Sequence, residues 1–316
     1  MNAPLIHYLW TVRKAFIRLH TAIFLAGFTA ILGKLIGLNE GLLVWYRLLL
    51  TVIALFFVLS YAKKLVLLPV KDLASMAGVG CIIAIHWVAF YGSVKYANIS
   101  VGLVCLSAAG FFTAIFEPLI MKRRIVMVEL LLGILAIAGI YVIFDFYPEY
   151  KKGILFGVVS AMGSALFPIF NKRLLTRFSP RILTFYELAG GFIMLSLLLP
   201  LYLYAFPAAY YLPTMQDWIW LLALAILCTV VAFDLQLKAL KEISAFTANL
   251  SFNLEPVYGI ILAFLFFGEG KMLKSGFFIG LALIMLAVSL QMWRVYNQRK
   301  KEGRSEIVDN GIHLGE

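Results

Sequence analysis

Residues 41–60 read GLLVWYRLLLTVIALFFVLS. These twenty positions hold one charge, Arg47, and no proline. As an α-helix they match the roughly 30 Å hydrocarbon core of a bilayer, which takes about 20 apolar residues. The run is continuous rather than alternating, so it is not a strand of a membrane barrel. Working outward, nine further runs of the same kind flank it. The ten are 19–37, 41–60, 71–94, 98–121, 125–146, 153–171, 180–204, 217–239, 244–267 and 274–293. The connections are short and leave no room for a soluble domain. The fold class expected is an all-α integral membrane protein.

The composition of the whole 316-residue chain agrees. Apolar residues make up 63% and charged residues 14%, with a net charge of +11; mean hydropathy is +0.96. Soluble domains run at about 45–50% apolar and about 25% charged. A soluble enzyme, a disordered chain and a nucleic-acid-binding domain are excluded, because the bases sit between apolar runs and not on a soluble face. Cys81, Cys105 and Cys228 fall inside apolar runs without disulfide or zinc spacing and read as small apolar fillers. Residues 1–18 read as a surface helix or a basic tail, and 297–316 as polar and disordered.

Lys and Arg between the runs set the orientation. With a cytoplasmic N-terminus, the segments on that side hold twenty, and those on the other side hold five: Lys95, Lys151, Lys152, Lys271 and Lys274. Both termini are therefore expected in the cytoplasm of a cell with an inner membrane. Tyr210, Tyr211, Trp218 and Trp220 would form an outer aromatic belt. Ten runs also divide as five plus five. Trp45-Tyr46-Arg47 and Phe185-Tyr186-Glu187 take the same place in runs two and seven, and Ile99-Ser100 and Ile243-Ser244 in the approaches to runs four and nine. Five is odd, so the second half would enter the membrane from the opposite side, as in many secondary transporters. The domains expected are 19–146 and 153–293, with tails 1–18 and 294–316.

A family likeness appears at particular residues. Arg47, His86-Trp87, Leu254-Glu255-Pro256-Val257-Tyr258-Gly259 and Phe267-Gly268-Glu269 make the chain resemble the drug/metabolite transporter superfamily, specifically ten-helix transporters with two EamA-type domains. Phe112 and Ile125 stand near the places where counterparts of Pro256 and Glu269 would fall in the first half. The resemblance implies small-molecule transport by alternating access, usually export, with a substrate such as an amino acid or drug-like compound.

Ionisable residues inside the runs need partners or a cavity, because each costs roughly 2.5–3.5 kcal/mol at the centre of a helix on insertion scales. Glu255, at midspan beside Pro256, reads as a substrate or proton site or as part of a structural network with Ser251, Asn249 and Asn253. Trp87 and Tyr91, one turn apart, read as a substrate wall or as ordinary packing. His86 is a proton carrier or a hydrogen-bonded structural residue. Arg47 meets a carboxylate or backbone carbonyls of a neighbouring helix, or an anionic substrate. Glu117 pairs with Arg123 or Arg124, or forms an inner gate. Glu187 and Arg47 lie at opposite depths and do not pair. Asp234 pairs with Lys238 one turn on. The substrate-cavity candidates are thus Trp87, Tyr91, Asn253 and Glu255, and the intramembrane charge candidates Arg47, His86, Glu117, Glu187 and Asp234. The glycines within the runs read as sites of close helix packing.

No catalytic role is expected, and no metal or cofactor. No G-x-x-x-x-G-K-[ST] occurs, and of four histidines only His86 lies deep in a run. Coupling is to protons, through Glu255 or another buried carboxylate, or absent. The partners expected are a small-molecule substrate and the lipid bilayer. The rival classes are a polytopic membrane enzyme and a membrane scaffold.

Overall fold

The computed structural model describes residues 3–122, 124–146, 148–240, 251, 254–271 and 273–309. The described chain is helical, without strands. Its α-helices are α1 (Ala3–Leu35), α2 (Glu40–Tyr61), α3 (Val70–Tyr96), α4 (Ile99–Leu106), α5 (Ala109–Met121) and α6 (Met127–Phe146), then α7 (Lys151–Leu174), α8 (Pro180–Ala205), α9 (Met215–Ala225), α10 (Ala232–Leu240), α11 (Glu255–Phe267) and α12 (Ser275–Asp309). A π-helical segment, Ile226–Val231, joins α9 to α10. Among the described residues, seven helical stretches are long and apolar enough to cross a membrane, including Ile99–Met121 and Met215–Gln236. Met127–Ile143, Glu255–Phe267 and Ser275–Leu290 are apolar but shorter.

The boundaries follow from local chemistry. Asn39 accepts from the Gly41 amide and starts α2, and Asn98 accepts from Val101 and starts α4. Pro180 opens α8. Thr214 and Asp217 exchange side-chain and backbone hydrogen bonds in a capping box that opens α9. Gly268 closes α11 at φ 62°, a left-handed conformation that costs glycine nothing.

Three expectations are corrected. The basic N-terminal stretch from Ala3 is one helix with the first apolar run, not a separate surface helix or tail. The last helix continues past residue 297 to Asp309 instead of becoming disordered, since that polar stretch is rich in the good helix formers Gln, Arg, Lys and Glu. The fourth run breaks at Ser107–Ala108, dividing it into α4 and α5.

Two ends of the bundle can be distinguished. One carries Gly37, Glu40, Lys95, Lys152, Phe206 and Asp217 and is called here the Glu40 end. The other carries Asp72, Lys172, Arg177, Arg181 and Asp234 and is called the Asp234 end. α3 packs against α7 and α8, while α1 and α2 pack against the α9–α10 run. α4 and α5 lie on α7, and α11 lies on α1. α2 pairs with α8, α4 with α11 and α6 with α12. Small residues let these helices approach: at the α3–α8 crossing a Cβ on Gly80 would overlap the Glu187 carbonyl, and at the α6–α12 crossing Gly139 and Gly280 face each other's carbonyls. Large apolar side chains such as Phe57, Leu131, Leu197 and Leu265 cover the outside of the bundle, the surface that lipid would solvate.

Candidate functional site

Arg47 lies where α2 meets α3 and the π-helical segment, 2% exposed. Its Nε donates to Thr229 Oγ1 at 3.0 Å and its Nη1 to the Tyr91 hydroxyl at 2.8 Å. The guanidinium carbon sits 3.6 Å above the centroid of the Trp87 ring, a cation–π contact. The π-helical segment presents Thr229, whose hydroxyl donates in turn to the Leu224 carbonyl at 2.9 Å. Segments of this kind are rare and frequent at functional sites. The half-buried Glu255 is within electrostatic reach of Arg47. No described carboxylate forms a salt bridge with Arg47. The sequence expectation of a carboxylate or carbonyl partner is therefore corrected: two hydroxyls and an indole face hold the guanidinium. A hydroxyl at the right depth satisfies a donor without neutralising the charge.

The structure thus brings together four of the residues predicted from sequence, Arg47, Trp87, Tyr91 and Glu255. Asn253 and Asn249 lie outside the described residues. His86 is elsewhere, at the α3–α7 crossing. Its Nδ1 lies 2.8 Å from the Ser160 carbonyl and 3.0 Å from the Ser160 hydroxyl, the setting of a structural histidine. Because a carbonyl only accepts, Nδ1 is the nitrogen that carries hydrogen in this contact.

The remaining charges sit toward the Asp234 end. Glu117 pairs with Lys172 of α7 at 3.4 Å and not with Arg124, because α7 packs along α5 and brings the lysine to it; Arg123, the other expected partner, lies outside the described residues. Asp234 has the expected Lys238 partner at 2.5 Å and a second one that sequence reading missed, Arg181 at 2.6 Å. Arg177 reaches Asp72 at 3.1 Å. All these pairs are partly exposed. Glu187, by contrast, is 1% exposed, and its Oε2 accepts from Asn171 Nδ2 at 3.3 Å.

The Glu40 end is drier. Glu40, 2% exposed, accepts from the hydroxyls of Tyr202 at 2.7 Å and Tyr96 at 3.1 Å. Asp217 accepts from the Gly37 amide at 2.8 Å and from the Tyr210 hydroxyl at 2.9 Å. Burial and then this hydrogen bond push the Tyr210 hydroxyl up to about 12. Asn39 donates to the Phe206 carbonyl, and Lys95 to that of Ile36. Lys152 lies over the Tyr96 ring, 3.7 Å from its centroid. None of Glu40, Asp217 or Lys152 was read from sequence as a site residue. The T-x-x-D signature of Thr214–Asp217 was the one available signal.

Residues 151–293 match the EamA-like transporter family. An uncharacterized transporter of Archaeoglobus fulgidus is 29% identical over 175 residues, 55% of this chain and 60% of that protein. The uncharacterized transporter YetK of Bacillus subtilis is 26% identical over 294 residues, 86% of this chain and 84% of that one. A match in Clostridium kluyveri, also an uncharacterized transporter, is 24% identical and covers 69% of this chain and 70% of the other. This chain thus spans less than two thirds of the first of these relatives. A solved crystal structure at 16% identity superposes with a TM-score of 0.58 over 88% of this chain and 96% of the other, a likeness of fold. The resemblance read from Glu255–Gly259 and Gly268-Glu269 is borne out, and the apolar helices are those of a multi-pass membrane protein.

Proposed function

We propose, with the EamA-like domain of residues 151–293 as premise, that the protein is a secondary transporter. It exports a small organic metabolite, such as an amino acid or drug-like compound, by alternating access. The architecture is ten membrane crossings in two inverted five-helix halves, 19–146 and 153–293. Helix packing supports this: moving each crossing on by five carries the most extensive inter-half contacts onto contacts that are also present. The α3 contacts with α7 and α8 become those of α9–α10 with α1 and α2, and α2–α8 and α6–α12 map onto themselves. The excess of Lys and Arg toward the Asp234 end supports an inner-membrane setting with that end and both termini cytoplasmic.

The observation that carries the functional reading is Arg47. A guanidinium has five N–H donors, and the hydrogen bonds to Tyr91 and Thr229 use two. It lies between the halves, where inverted-repeat carriers bind substrate. Trp87 offers an aromatic face and Glu255 an opposite charge. An anionic group of the substrate would meet Arg47, and a cationic or donor group Glu255. Asn253 belongs to the same wall by its place in the sequence.

Counterflow in proteoliposomes against a panel of amino acids, nucleosides and cationic dyes tests the proposal. The expected result is saturable exchange of at least one class, reduced more by Trp87→Ala than by Trp218→Ala at matched insertion. A well-inserted protein that exchanges none of the panel would leave an enzyme or a scaffold as the better reading.

A further inference from the structure

The strongest unassigned feature is the hairpin of α7 and α8. Glu187 lies about 10 Å along α8 from Pro180, at 1.5 Å per residue. It is 1% exposed. One oxygen, Oε2, accepts from Asn171 Nδ2. The other, Oε1, is buried without a partner, and so is Asn171 Oδ1 on the same neighbour. Turning the Asn171 amide over would only exchange one orphaned acceptor for another. The pair is thus one donor short, in a place where buried polar atoms are nearly always satisfied.

A counter-charge is also missing among the described residues. The charged and titratable groups on the elements packed around Glu187 are engaged elsewhere or solvated. On α3, Asp72 is paired with Arg177, and His86 is bound to Ser160. On α7, Lys172 is paired with Glu117, and Arg173 is exposed. On α10, Asp234 holds Arg181 and Lys238. On α2, Arg47 is held by Tyr91 and Thr229. Glu255 has Arg47 within reach, and Glu187 has no such neighbour among the described residues.

We propose that Glu187 and Asn171 form a proton-binding site, in which Glu187 Oε1 takes a proton from water at the Asp234 end and returns it during the carrier cycle. A proton supplies the missing donor, and no other bond forms or breaks. Two oxygens are too few for a hard metal cation, which takes six or more oxygen ligands in the cases of calcium and magnesium. Half-buried Asn171 lies between Glu187 and that end's surface. α3 and α8 touch backbone to backbone beside it, at Gly80 and Gly191, so a shift at this crossing changes the setting of Glu187. The proton site stands on this geometry alone; its coupling to transport rests on the carrier reading.

Infrared spectra of the purified full chain, recorded across pH in sodium and in choline chloride, test the site without a substrate. The expected result is a carboxylic-acid band that titrates with pH, is absent in Glu187→Gln and remains in Glu255→Gln. In Asn171→Leu, a separately folded variant, the band should move in frequency because its hydrogen bond is gone. Retention of every carboxylic-acid band in Glu187→Gln, an unmoved band in Asn171→Leu, or a band set by sodium in place of pH would each overturn the site. In proteoliposomes, Glu187→Gln should exchange substrate but lose accumulation driven by a pH gradient. Parental accumulation by that variant would overturn the coupling, whereas exchange failing in the parent would sink the carrier reading and leave the infrared result standing.

Discussion

At Arg47 a single charge is held by neutral groups, which under the proposed function ties stability and transport to the same atoms. The Tyr91 hydroxyl accepts from Nη1, and the tyrosine ring fills the space beside Gly33. Hydrogen bonds to charged groups are worth about 1.5–3 kcal/mol, and a buried donor left without its partner costs on the same scale. Tyr91→Phe keeps the ring and removes only the acceptor. It should lower the thermal unfolding midpoint in detergent and weaken substrate exchange together. An unchanged midpoint with unchanged exchange would mean that water replaces the hydroxyl and that the site is wetter than its burial indicates. The sequence exposed this centre only in part. Arg47, Trp87, Tyr91 and Glu255 are recognisable because charge and large aromatics are conspicuous in an apolar run. Thr229 is not, since a threonine among Ile, Leu and Val looks like any filler and gains its role from the π-helical turn that aims it. Asn171 was equally silent, as its importance arises from the carboxyl across the hairpin.

Among the elements, the crossing of α3 and α8 depends on side-chain absence. Gly80 faces the Glu187 carbonyl, and Gly190 faces Ala77. A methyl at Gly80 has only rigid backbone to displace. Gly80→Ala should therefore lower the amount of folded protein recovered from membranes. Gly78→Ala, two residues away, meets nothing within 4 Å; it should be neutral or stabilising by up to about 1 kcal/mol, the helix propensity difference. Size-exclusion recovery of the two variants compares them directly, and equal recovery would show that the crossing can open without loss. The glycines were legible from sequence as packing sites, but which of them face backbone depends on the helix partner. Glu269 makes the same point. Sequence reading set it within a family motif. Folding places its carboxylate on the Ile99 and Ser100 amides at 3.1 and 2.9 Å, where it meets the positive end of α4 from 169–170 residues away. The apolar runs were legible because their length repeats, and seven described helical stretches are long and apolar enough to cross a membrane. The break at Ser107–Ala108 and the continuous end helices were not, since apolarity marks what enters the membrane and not where a helix bends or stops.

For the whole molecule, on the proposed two-half architecture, the two ends differ in how the halves are joined. At the Glu40 end two of the joining groups are buried carboxylates, Asp217 on the Gly37 amide and Glu40 on the Tyr202 hydroxyl, and half-buried Asn39 donates to the Phe206 carbonyl. At the Asp234 end the polar contacts of this kind among the described residues include the partly exposed ion pairs Lys172 with Glu117, Arg177 with Asp72 and Arg294 with Glu129, and the exposed Tyr186 hydroxyl on the Val66 carbonyl. Such pairs contribute about 0–1 kcal/mol each, whereas unpairing a buried charged acceptor costs more. The conformation described is thus held more firmly at the Glu40 end, and alternating access would require that end to release. Asp217 is the place to test this, because its carboxylate accepts from Gly37, Tyr210 and Thr214 together. Asp217→Asn replaces one acceptor oxygen by a donor that faces donors. The chain for the test carries Val44→Cys, a fully buried position one turn from Glu40, after replacement of Cys81, Cys105 and Cys228. A membrane-impermeant maleimide added outside intact cells should label Val44→Cys faster in the Asp217→Asn background than in the parent, with protein abundance unchanged. The same reagent should leave a cysteine at position 310 unlabelled, because the positively charged end is expected inside. Labelling at 310 would invert the topology. Equal slow labelling at 44 in both backgrounds, with the expected topology, would show that the buried contacts at this end are structural and that the halves part elsewhere.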